Sequence, residues 1–255
     1  MSLLTQGPLP VTAPLVLNPL MARMVEAAGF GAGYLGGGAT GYQKVALEAN
    51  LNVTEMCQAA LDIRAVSSLL LILDGACGYG DPMHMHRTIG MTEAAGFAAI
   101  EIEDQLVPKR AHHHVGIEHM IPMELMAAKV REAYRKAGAD VLLLSMARKP
   151  EQLRAISERL GGPLMYLTFR GGLAGMGMTL RDLGALGYRI VADPQTPLLA
   201  AYAAWKKTYE DLARGFGAEG SDKPDWELLE KEMLATIDIE KLLAVERATV
   251  EKGKD

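Results

Sequence analysis

Cysteine is nearly missing from this chain: Cys57 and Cys77 are the two among 255 residues. Two thiols cannot make a disulfide framework, and they fit a reducing, cytoplasmic setting. Aromatic residues are scarce as well, at 5%. No long basic run occurs and the formal net charge is −5, so the electrostatic footprint of a nucleic-acid binder is missing and no nucleic-acid partner is expected. No apolar run approaches the roughly 20 residues that cross a bilayer. The opening MSLLTQGPLP lacks a basic segment followed by an apolar one, so neither membrane association nor a secretory signal is expected. No short internal repeat is visible.

What remains is the composition of a globular domain. Hydrophobic residues make up 49% of the chain, enough for a sizeable core, and the length suits one large α/β domain. Short apolar runs alternate with segments of helical period. Candidate strands start near residues 14, 33, 69, 98, 139, 163 and 188, which predicts a parallel sheet with helices outside it. The spacing predicts helices from Leu20 to Gly29, from Thr54 to about Val66, from Pro122 to Gly138, from Pro150 to Gly161 and from Thr179 to Gly187. Residues 39–53 show no clean period and read as a loop. Thr196-Pro197 opens a long helix carrying Leu198, Leu199, Tyr202, Trp205, Tyr209 and Leu212 on one side. Beyond a polar linker, 215–223, helical residues from about Asp225 to Lys252 present Trp226, Leu229, Met233, Leu242 and Val245. We therefore divide the chain into a catalytic domain, 1–214, and a helical extension, 215–255, whose apolar faces call for a homo-oligomer.

Chemistry concentrates between Ala98 and His119, AAIEIEDQLVPKRAHHHVGIEH. An apolar strand runs into Glu103 and Asp104, and a loop with Lys109, Arg110 and three histidines follows. Buried strands that end in acids are how a (β/α) barrel presents chemistry at its C-terminal face. The run Leu69–Leu73 ends the same way, at Asp74, before the turn GACGYGDP. The glycine run Gly36-Gly37-Gly38 lets backbone N–H groups approach an anion, or is a plain turn. All six histidines lie between 84 and 119, which raises a transition-metal site as an alternative, although the spacing matches no specific zinc signature.

These segments resemble the isocitrate lyase and phosphoenolpyruvate mutase superfamily. The resemblance rests on LVLNPLMARMVEAAGFGAGYLGGG, LILDGACGYGDP, IEIEDQLVPKRAHHH and the C-terminal IDIEKLLAVERATVEK, and it covers nearly the whole chain. It implies a (β/α)8 TIM barrel, Mg²⁺ or Mn²⁺ as cofactor, and the making or breaking of C–C or C–P bonds beside a 2-oxo acid. It also implies dimers or tetramers with exchanged C-terminal helices. Residue by residue, it makes Asp74 and Glu103 the metal acids and Lys109 the lysine of the gating loop. Gly37 and Gly38 become the turn that grips a substrate carboxylate. Arg110 and Thr168 are further candidates for binding substrate.

The departures are equally specific. The second acid of an Asp-x-Asp pair is Ala76, Gly36 stands in place of a common serine, and the catalytic cysteine of the lyases is Ala111. His113 or Glu48 is then the candidate acid/base. The fifth strand, with its arginine, finds no counterpart: KVREA (129–133) runs directly into YRKAGADVLLL, so one βα unit is missing. The expectation is a barrel-like α/β enzyme short of its fifth unit, a Mg²⁺-dependent C–C lyase or decarboxylase acting on a small 2-hydroxy or 2-oxo dicarboxylic acid. A phosphonate mutase or hydrolase, or a barrel that binds a small acid without catalysis, is the alternative.

Overall fold

The computed structural model describes residues 9–137, 142–143, 147–161, 163–168, 172–214 and 224–249. Seven strands are defined: β1 Val11–Pro14, β2 Ala32–Leu35, β3 Leu70–Asp74, β4 Ala99–Glu101, β5 Leu142–Leu143, β6 Leu164–Leu167 and β7 Tyr188–Asp193. All their ladders are parallel. One sheet runs β1-β7-β6-β5 and the other β2-β3-β4. Leu15 bridges Tyr34 in parallel, and the Val16 N–H donates to the Tyr34 carbonyl at 2.9 Å, so β1 also lies beside β2. The strands therefore follow one another as β5-β6-β7-β1-β2-β3-β4. Among the described residues no ladder joins β4 to β5, so the parallel strands form an open arc and no closed barrel is seen.

Strands buried on both faces read as continuous apolar runs. One face of the arc turns inward: Ala13, Ala32, Tyr34, Ile72, Met165, Ile190 and Ala192 pack together, although β2 and β3 are not ladder neighbours of β6. Side chains from strands so far apart in the order meet because the arc curls. The other face packs on helices. Val16, Leu69 and Leu71 meet Ala22 of α1 (Pro19–Ala27) and Cys57, Ala60 and Ile63 of α3 (Val53–Arg64). Between these lies α2, Gly37–Gln43, and after β3 comes α4, Met85–Ala94. The crossover helices further on are α5 Met123–Ala137, α6 Pro150–Leu160 and α7 Leu180–Ala185.

Several boundaries differ from the sequence expectation for local reasons. The first strand is Val11–Pro14, not Pro14–Leu17, because the chain leaves the β1–β7 ladder after Pro14. Residues 39–53 are not one loop. The glycine run opens α2, a 3₁₀ turn covers Glu48–Asn50, and Asn52, not Thr54, caps α3. Its side chain accepts from the Thr54 and Glu55 N–H groups while Glu55 reaches back to the Asn52 N–H, a reciprocal cap. Val66 lies beyond that helix and is exposed, as are Leu20 and Met24 of α1. The Ala98–Glu103 run leaves the ladder at Glu101, where the chain turns into the loop that carries Glu103 and Lys109. The expected helix end at Gly138, the flanks of β5, Phe169, the linker 215–223 and residues past 249 lie outside the described residues.

The chain forms two compact units that divide after Leu199. The second contains the remainder of α8 (Thr196–Arg214) together with α9 (Trp226–Thr236) and α10 (Ile239–Thr249). Neither α9 nor α10 buries a single side chain.

Candidate active site

The site begins where β3 ends. Asp74 is its last residue, and the next turn brings the Ala76 N–H back to Asp74 Oδ1 at 3.1 Å. Asp74 Oδ2 accepts from the Gly37 N–H at 2.9 Å. The acid thus caps its own turn and also holds the first turn of α2. Gly37 carries no side chain for a visible reason: a Cβ there would stand 2.7 Å from Cγ of Glu48. Glu48 is 5% exposed and lies against that glycine.

From the far side comes the loop after β4. Its base is pinned to neighbouring backbone: the Glu103 N–H donates to the Ala76 carbonyl at 2.8 Å, and the Ile121 N–H to the Asp104 carbonyl at 2.9 Å. The loop folds back on itself through an antiparallel bridge between Gln105 and Met120 and a 2.8 Å bond from the Leu106 N–H to the His119 carbonyl. That fold turns Lys109 inward. Its ammonium donates to Glu48 Oε1 at 2.9 Å and to Glu103 Oε2, with the lysine side chain 4% exposed. One buried cation therefore ties the β4 loop to the segment after α2.

The electrostatics follow from that crowding. Burial pushes the Glu48 and Glu103 carboxyls above the ordinary range and the charge of Asp74 pushes them further, while Lys109 pulls both back. Burial alone lowers a lysine, but Glu48, Glu103 and Asp74 outweigh it and hold Lys109 above its usual value. Burial pushes the Cys77 thiol, in the turn after Asp74, up to about 12.

A further pair escaped the sequence reading. Tyr34 on β2 donates its hydroxyl to Glu101 Oε2 on β4 at 2.6 Å, and both side chains are buried. Burial raises Glu101 well above an ordinary carboxyl, Asp74 adding to the effect and the Tyr34 bond opposing it. Strand parity held the missing signal: Glu101 is the one acid inside the apolar run of β4, and an acid inside a buried strand needs a reason.

Asp74, Glu103, Glu48, Lys109 and Gly37 come together. Gly38, next along α2, has open space where a Cβ would stand. His113 sits nearby: its charge is felt at Glu103, and its Nδ1 lies 2.9 Å from Glu118 Oε2 and 3.1 Å from Gln105 Nε2. Arg110 is exposed, outside the cluster. Thr168 turns to β7, its hydroxyl 3.3 Å and its N–H 2.9 Å from the Ala192 carbonyl. Other histidines take separate partners, His84 the Asp81 N–H and His86 the Glu132 carboxylate. Among the described residues no three His, Cys, Asp or Glu side chains form a ready-made metal cage. The donor set nevertheless fits a hard divalent ion. Asp74, Glu48, Glu101 and Glu103 influence one another, with Lys109 the one cation bonded to any of them among the described residues. Mg²⁺ usually takes one or two carboxylates and keeps its waters.

Comparison with known proteins identifies the family. The family model described as phosphoenolpyruvate phosphomutase matches residues 1–133. An oxaloacetate decarboxylase of Pseudomonas putida (strain GB-1) is 32% identical over 233 residues, covering 77% of each chain. Among solved structures, oxaloacetate acetylhydrolase in complex with the inhibitor 3,3-difluorooxalacetate superposes with a TM-score of 0.82 at 23% identity, covering 98% of this chain and 96% of that one. A phosphonopyruvate hydrolase complex with oxalate and Mg²⁺ superposes at 0.78 with 24% identity, covering 94% of both. The chain therefore belongs to the phosphoenolpyruvate phosphomutase family, within the superfamily its motifs resemble.

Proposed function

We propose that this protein is a divalent-metal-dependent lyase that breaks a C–C bond in a small 2-oxo dicarboxylic acid, with decarboxylation of an oxaloacetate-like substrate as its reaction. The observation that carries the reading is the buried Lys109 ammonium between Glu48 and Glu103, beside Asp74. The oxaloacetate decarboxylase relative supports the substrate class.

Asp74 and Glu103 would hold Mg²⁺ or Mn²⁺. When bound, the ion supplies Lewis-acid stabilisation of the charge that builds on the 2-oxo oxygen as the bond breaks. The chain's own residues do the rest. Lys109, bonded to Glu48 and Glu103, keeps the loop closed over the substrate, and Arg110, exposed on that loop, meets its carboxylate. The C–C bond breaks, CO₂ leaves, and its electron pair passes to the enolate carbon. Glu48, whose carboxyl burial and Asp74 hold above the ordinary range while Lys109 pulls it back, is placed to give that carbon a proton, which it regains from solvent. We prefer Glu48 to His113 because His113 Nδ1 faces Glu118 and Gln105.

The fold belongs to the same proposal: a (β/α) barrel that lacks its fifth unit. The arc of strands ends at β4 and β5, and the family match ends at residue 133, where KVREA meets YRKAGADVLLL. The decarboxylase alignment runs over 233 positions but takes up 77% of this 255-residue chain, so the relative has residues without counterparts here. A homo-oligomer in a reducing cytoplasm, built through the exposed apolar helices, completes the reading.

The test is a coupled assay for pyruvate or glyoxylate over oxaloacetate, malate, methylmalate and isocitrate-like acids, with Mg²⁺ and with EDTA. Pyruvate release from oxaloacetate that EDTA abolishes is expected. Metal-independent release would remove the metal from the reading, and silence across the panel from folded protein would remove the lyase.

A further inference from the structure

Glu101 and Asp74 are the final residues of β4 and β3, and they are register partners in a parallel ladder. Partners in such a ladder project from the same face. Tyr34 pairs with Ile72, two residues before Asp74, and so lies on that face as well. Its hydroxyl passes across β3 to reach Glu101 Oε2 at 2.6 Å. Glu101 is 5% exposed and Tyr34 1%. Among the described residues the Tyr34 hydroxyl is the one hydrogen-bond donor to the Glu101 carboxyl, which leaves Oε1 without any. The lysine of the site is spent on Glu48 and Glu103. Among the described residues Asp74 receives two backbone N–H groups and is bonded to no cation.

Two acids thus stand side by side, Glu101 buried and Asp74 half-buried, with no cation bonded to either among the described residues. Tyr34, its bonding partner, belongs to the apolar cluster of Ala13, Ala32, Ile72, Met165, Ile190 and Ala192. An unpaired buried acid is expensive, and retaining one beside another calls for a cation. Hard carboxylate oxygens on adjacent strands suit a small divalent ion. The Tyr34 bond fixes one oxygen and leaves the other available, as partners behind a metal ligand commonly do.

We infer that Glu101, oriented by the Tyr34 hydroxyl, is a carboxylate of the divalent-cation site and works with Asp74, either directly or through a retained water. This rests on the metal reading proposed above and adds to it a residue on β4 below the loop.

The test is Mn²⁺ binding, read from the free-ion electron paramagnetic resonance signal, without turnover. Wild type, Glu101→Gln, Asp74→Asn and the exposed control Asp104→Asn are compared, with metal-free melting temperature as the check on folding. Glu101→Gln is expected to weaken Mn²⁺ binding at least tenfold, and Asp104→Asn to leave it unchanged. If Glu101→Gln does not fold, Tyr34→Phe decides: it keeps the acid, loses its orientation, and is expected to weaken binding severalfold. Wild-type affinity in a folded Glu101→Gln (or in Tyr34→Phe, where that variant decides) while Asp74→Asn loses the ion overturns the role of Glu101 alone. Failure of wild type to bind Mn²⁺ overturns the metal reading, and this inference with it.

Discussion

Lys109 is the residue on which the site turns. Removing one member of a buried ion cluster leaves the others uncompensated, which costs about 3–5 kcal/mol. Lys109→Met keeps the stem and deletes the charge, so it should destabilise by that amount in urea unfolding. Adding Glu48→Gln should recover part of the loss, because one stranded acid is then neutral; additive losses would mean the pair is not coupled. Two adjacent glycines make a sharper contrast. A Cβ at Gly37 meets Glu48, whereas at Gly38 it meets nothing. Gly37→Ala should therefore lower the melting temperature and Gly38→Ala should raise it, a helical alanine being worth about 0.5–1 kcal/mol over glycine. Equal shifts would show that Glu48 moves aside freely. At this scale the sequence was informative where a strand ends. Asp74, Glu103 and Lys109 stood out because acids and a lysine follow apolar runs. Glu101 did not, because its signal, one acid in an apolar run, was overshadowed by the acidic pair Glu103-Asp104 two residues on.

At the scale of elements, the helices and strands were legible in kind and less so at their edges. Most strands lie within a few residues of their expected starts, since continuous apolar runs bounded by glycine, proline or acid have few other uses. Helix caps were harder: Asn52 and Thr54 are both plausible caps, and only the reciprocal bond with Glu55 chooses between them. The C-terminal helices were read for their apolar faces, and those faces are exposed. Tyr202, Trp205 and Tyr209 recur at helical spacing on α8, and Trp226, Leu229 and Met233 recur likewise on α9, each between 44% and 70% exposed. We propose that stripes of this size form an interface between copies of the chain. Light scattering coupled to size exclusion should give a multimer for the wild type, and a smaller species for Trp205→Glu with Trp226→Glu. An unchanged mass would place the interface elsewhere.

For the whole molecule, the consequence is set by the order of strands. A parallel strand is secured by ladders on both sides, and β7 has both, with β1 and β6. β1 has β7 on one side and the Leu15–Tyr34 bridge to β2 on the other. β4 has a ladder with β3 alone among the described residues. Local opening costs least where backbone bonds are fewest and most where strands are flanked by partners. Native-state hydrogen exchange should therefore show the amides of Ile190 to Ala192 slower than those of Ala99 to Glu101. Because Asp74 and Glu101 sit at the ends of β3 and β4, a divalent ion held there would close the weak side from above. Adding Mn²⁺ should slow exchange in β4 more than in β7. Uniform protection of all seven strands without metal would mean that β4 and β5 are sealed by something else, and that the missing unit leaves no seam.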